Sequence, residues 1–112
     1  MIKTNTPNRG NRDADEVLLW SLIMQSIPRQ AAVSVIDTAT KLPTSPLSKR
    51  KFLFICNNSD EIIYLGDSAV TTTDGFPLYQ HQSILVNIED GVDLYGVSTN
   101  AAGSNVRILE GA

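Results

Sequence analysis

Few side chains in this sequence have the chemistry of a catalyst. One cysteine, Cys56, and one histidine, His81, make the only conceivable thiol–imidazole couple. The nucleophile in such a couple is the thiolate, and apolar burial keeps a thiol protonated. Cys56 ends the most apolar stretch of the chain, Phe52-Leu53-Phe54-Ile55-Cys56. We therefore read it as a core thiol and His81 as a loop histidine. A single Cys excludes a disulfide framework and a multi-thiolate zinc site, and a single His excludes two-histidine metal motifs. Asp67, Asp74, Asp90 and Asp93 carry oxygen ligands of the kind calcium takes, but their spacing fits no EF-hand loop. Aspartates in such positions more often bond the neighbouring backbone of a turn. Asp74-Gly75 and Asp90-Gly91 are turn dipeptides, and no glycine-rich phosphate loop is present. The residues predict no catalytic site, no metal site and no cofactor.

Recognition chemistry is better represented. Ser48-Lys49-Arg50-Lys51 is a basic run directly before the apolar stretch. It suits an acidic partner, or equally a charged edge that keeps a strand from aggregating. The basic residues cluster: residues 1–51 hold eight Lys and Arg against four Asp and Glu, whereas residues 52–112 hold one against eight. The halves thus carry +4 and −7 within a net charge of −3. This asymmetry predicts a basic part that docks on an acidic partner and an acidic part that faces solvent. A sequence pI near 4.9 argues against specific nucleic-acid binding.

The elements that must position these residues follow from periodicity. Residues 1–12, with Asn5, Pro7, Asn8, Gly10 and Asn11, read as a polar arm that includes Arg9 and Arg12. The spacing predicts a helix over 13–28. Asp13 or Asp15 caps it, Val17, Trp20, Met24 and Ile27 fall on one face, and Pro28 stops it. Leu18, Leu19, Leu22 and Ile23 cover most of the remaining surface, so the helix is apolar nearly all round and must be buried, against copies of itself, a groove on another protein or this chain's own sheet. The expected contacts are neighbouring subunits, through Val17, Trp20, Ile23, Met24 and Ile27 together with Arg9, Arg12, Lys49, Arg50 and Lys51. The start of the chain lacks a signal-peptide core, and its longest apolar run is far short of the roughly 20 residues that span a bilayer. The chain is expected to be neither secreted by the common route nor membrane-spanning.

From residue 31 the pattern becomes extended. Strands are expected at 31–36, 52–56, 61–65, 83–88, 93–97 and 105–109, separated by Asn57-Asn58-Ser59-Asp60, a polar loop from Gly66 to Gly75, Glu89-Asp90-Gly91 and a small-residue turn from Thr99 to Ser104. The run 52–56 reads as buried on both faces. Pro43 and Pro46 make 38–48 an extended connection and not a central strand. The expected fold is mainly β, a small antiparallel β-sandwich or jelly roll over 31–112 with an N-terminal arm and one short helix. A strand region this short, without disulfide or metal, is expected to gain stability by forming a homo-oligomer, with a trimer as our guess.

Several motifs, taken in order, have a familiar arrangement. Leu47-Ser48-Lys49-Arg50-Lys51 leads into a strand and an Asn-Asn turn, then Ile63-Tyr64-Leu65-Gly66-Asp67-Ser68. Val70-Thr71-Thr72-Thr73-Asp74-Gly75-Phe76-Pro77-Leu78 follows, then Ser83-Ile84, Gly91-Val92-Asp93-Leu94-Tyr95-Gly96-Val97 and Asn105-Val106-Arg107-Ile108-Leu109-Glu110. The order resembles small virion proteins of tailed bacteriophages: capsid decoration or cement proteins, head-fibre proteins and minor tail components. The resemblance covers about residues 40–110. Its V-T-T-x-x-G-x-P-L and D-L-Y elements are moderately specific together and weak separately. This chain departs from the pattern at Tyr79-Gln80-His81-Gln82, where a Pro-Gly or Gly-Glu type turn is expected.

The resemblance implies a non-enzymatic structural protein of a virion with no catalytic residues to carry over. Its implied partners are the major capsid protein or other virion proteins, with placement on the capsid surface and the neck, tail or fibre as alternatives. A different class is a soluble carbohydrate-binding module. It would need exposed aromatic platforms, for which Phe76 and Tyr79 are the loop candidates.

Overall fold

The computed structural model describes residues 28–112. The arm and the predicted helix, with Arg9, Arg12, Val17, Trp20, Ile23, Met24 and Ile27, lie outside the described residues apart from Pro28. Pro28 opens a strand. Its missing N–H is tolerated there because it is the first residue of an edge strand.

All regular structure among the described residues is β. The strands are β1 (Pro28–Val35), β2 (Thr40–Leu42), β3 (Phe52–Asn57), β4 (Ile63–Gly66), β5 (Phe76–Leu78), β6 (Ser83–Val86), β7 (Leu94–Val97) and β8 (Ser104–Gly111). They form two four-stranded sheets, in the orders β1-β8-β3-β6 and β2-β7-β4-β5. Every pairing is antiparallel, and β1 pairs β8, β2 pairs β7, β3 pairs β6 and β4 pairs β5. The described residues thus form one long nested hairpin whose two arms pair from β1 with β8 to β4 with β5. Two further pairings, β3 with β8 and β4 with β7, join these pairs into the two sheets.

The six expected strands are all present, with ends moved by at most three residues. Two more appear, β2 and β5. Both are three residues long and lie at sheet edges, and β5 contains Pro77. Short edge strands of this kind give no alternation to read, and proline is tolerated where no ladder bond is required.

Period-two alternation sends one set of side chains inward from each sheet. In the first sheet the register aligns Ala31, Ile108, Ile55 and Ile84 in one row, and Val33, Val106 and Asn57 in the next. One core cluster unites Val33, Val35, Leu53, Ile55, Val106 and Ile108 of this sheet with Leu42, Ile63, Leu65 and Leu78 of the other. Within the second sheet, Gly96 of β7 leaves room for the core side chains of its two neighbouring strands, because a Cβ there would lie 2.9 Å from Leu42 and 3.2 Å from Ile63.

The run 52–56 is fully covered on its second face only at Phe52, which is 1% exposed. Leu53 and Ile55 point into the core, whereas Phe54 and Cys56 are only partly buried on the opposite face. Apolarity without alternation suggested two covered faces, but the register sets Cys56 beside Arg107 and Ser83, both exposed. Among the described residues no helix is long and apolar enough to cross a membrane.

Candidate binding surface

The basic run before β3 divides on folding. Lys49 and Lys51 are exposed, but Arg50 is buried, with its side chain 2% accessible. This corrects the expectation of an exposed Arg50 offered to a partner. Its guanidinium donates to the Glu110 carboxylate at 3.0 Å and to the carbonyl of Val92 at 2.7 Å. Glu110 is fully buried at the end of the first sheet. It also accepts hydrogen bonds from Arg29 at 2.8 Å and from the Leu47 amide at 3.2 Å. Arg29 donates in addition to the Ser45 carbonyl. A charge is tolerated inside a protein when it is paired and its remaining lone pairs are bonded, and these donors meet that requirement for Glu110.

The acids of the following turn complete the arrangement. Asp93 lies 3.6 Å from Lys41 and 3.9 Å from Arg50, and Asp90 accepts from the Lys49 amide at 2.9 Å. Lys49 is held at φ 57°, in the left-handed region that few side chains adopt. A hollow of about 290 Å³ lies here, lined by residues that include Lys41, Ser48, Arg50, Asp90 and Asp93. Basic residues of the first half of the chain therefore meet acids of the second half.

The remaining acids serve turns. Asp67 accepts from the Ala69 amide at 2.9 Å. Asp74 accepts from the Thr71 amide at 2.8 Å and from the Thr71 hydroxyl at 2.9 Å. The amide bond, followed by the hydroxyl bond, holds the Asp74 carboxyl below its ordinary value. The same turn brings Gly75 so close that a Cβ would lie 2.6 Å from that of Tyr64. No group of three His, Cys, Asp or Glu among the described residues is gathered tightly enough to hold a metal ion. His81 faces Asp60 at 3.4 Å on the surface.

The second surface feature lies where β5 and β6, the edges of the two sheets, are joined by the turn 79–82. An apolar cleft of about 310 Å³ is lined there by Phe76, Pro77, Leu78, Tyr79, Gln82, Ser83 and Ile84. Phe76 is 62% and Tyr79 52% exposed, unusual for rings of this size. The turn is tightly held. The Gln82 amide donates to the Tyr79 carbonyl at 3.1 Å, and the Tyr79 amide donates to the Gln82 side-chain oxygen at 2.9 Å.

Beneath the turn, the fully buried Asn57 donates through its Nδ2 to the carbonyls of Glu61, Leu78 and Tyr79. The sequence marks Phe76 and Tyr79 as loop aromatics; Tyr79 is in the turn, whereas Phe76 opens β5. It does not mark Asn57, because its turn-forming neighbours Asn58, Ser59 and Asp60 give it the look of one more turn residue. Comparison with known protein families, curated proteins and solved structures finds no match for this chain.

Proposed function

We propose that the chain is a non-enzymatic structural protein of a tailed-phage virion, a capsid decoration or cement protein that binds neighbouring capsid subunits through its N-terminal region. The observation that carries this reading is the strand order, β1-β8-β3-β6 against β2-β7-β4-β5. We take the two sheets as the halves of an eight-stranded jelly roll, a double-sheet architecture common among viral coat domains and lectins. Architecture alone does not assign function. The reading also rests on the motif order from Leu47 to Glu110, which resembles that of small phage virion proteins. In this reading the chain acts as a homo-oligomer, a trimer by our guess, with the major capsid protein as its partner.

A neck, tail or fibre component is the second reading. The apolar segment Val17–Ile27 favours it, since an oligomer seam or a plug in a ring would bury that segment equally well. Copy number separates the two. Quantitative mass spectrometry of purified particles is expected to find the chain in hundreds of copies per virion. A few tens or fewer would move it to the neck, tail or fibre, and absence from particles would end the virion reading.

A further inference from the structure

We propose that the cleft between β5 and β6 is a binding site for a neutral saccharide, with Phe76 and Tyr79 as stacking platforms. This goes beyond the structural role and does not depend on where in a particle the chain sits. Three observations carry it.

The first is the pair of exposed rings. Phe76 and Tyr79 are both more than half exposed and both line one cleft of about 310 Å³. That volume is at the lower end of small-ligand sites and suits one or two sugar rings. The apolar C–H face of a pyranose packs on an aromatic face, while its hydroxyls need donors and acceptors around the rim.

The second is the character of that rim. Gln82 uses its oxygen on the Tyr79 amide, which leaves its NH₂ as a donor, and the Ser83 hydroxyl lies beside it in the lining. The two ionisable groups nearby, Asp60 and His81, face each other at 3.4 Å. A rim of one amide and a hydroxyl suits a neutral polyol better than an anion, and better than a purely apolar ligand.

The third is rigidity. Asn57 pins the Leu78 and Tyr79 carbonyls, and the bonds between Tyr79 and Gln82 close the turn. A platform already held in place loses little freedom on binding. Strand addition by a second copy is the competing occupant, but Pro77 has no N–H to offer along the β5 edge.

The test uses the full-length, isotope-labelled chain and a panel of glucose, galactose, N-acetylglucosamine, lactose and maltotriose at millimolar concentration, read by amide shift perturbation and saturation transfer. At least one sugar is expected to bind, with shifts confined to residues 76–84. Tyr79→Ala is expected to weaken binding roughly tenfold, the effect of losing an aromatic stacking partner. Tyr79→Phe should retain it. Val92→Ala, which removes an exposed apolar side chain outside the cleft lining, should leave it unchanged. The proposal is overturned if no sugar in the panel binds, if the shifts map elsewhere, or if folded Tyr79→Ala binds as tightly as the parent. Shifts at 76–84 that grow with protein concentration alone would make the cleft a contact between copies and overturn it as well.

Discussion

At the scale of single residues, Glu110 and Arg50 decide the most. A carboxylate with no exposure is tolerated at the end of β8 because two guanidinium groups and the Leu47 amide converge on it. Removing one partner of such a group costs far more than the pair contributes, since the other charge is left buried. Glu110→Gln is expected to lower unfolding free energy by about 3 kcal/mol, toward the low end for a broken buried pair because Asp93 still lies near Arg50. Urea denaturation at neutral pH checks this, and Lys51→Gln serves as the exposed control, expected to stay within about 0.5 kcal/mol of the parent. The basic run shows how far a single sequence can be read here. Three adjacent cations look alike in the sequence, yet burial separates Arg50 from Lys49 and Lys51. The reason is its partner, 60 residues away and brought near by the pairing of β3 with β8.

Among the elements, strand existence was largely legible and strand edges were not. The six strands with apolar alternation or runs were visible, because alternation is a property of a few neighbouring residues. The edge strands β2 and β5 carry no such pattern, and their strand geometry comes from β7 and β4, the neighbours they pair with. Asn57 belongs to this scale because it ties three elements together. It ends β3, and its amide holds the carbonyl of Glu61 just before β4 and those of Leu78 and Tyr79 at the end of β5. Asn57→Ala is expected to destabilise the fold by about 3 kcal/mol, as buried carbonyls lose their donor. It should also speed amide exchange across residues 78–82 more than across β1, which native-state hydrogen exchange would resolve. Equal protection loss in both regions would show that Asn57 does not act through this corner.

For the molecule as a whole, the core among the described residues unites both sheets. A chain beginning at Pro28 is therefore expected to keep its β-rich circular dichroism and a cooperative urea transition. If the proposed virion role holds, it should also lose attachment to phage heads lacking the full-length protein. Truncated protein that still decorates heads would place the contacts on residues 28–112 instead. Taken alone, the sequence determined that the chain is mainly β and where most strands and turns fall. Those properties are written in alternation, proline position and turn chemistry over spans of a few residues. Only the tertiary structure decided that the basic and acidic halves interleave, that Arg50 is an internal partner of Glu110, and that Phe76 and Tyr79 share one cleft. Each of these depends on which strands pair, and pairing joins residues tens of positions apart that no local pattern relates.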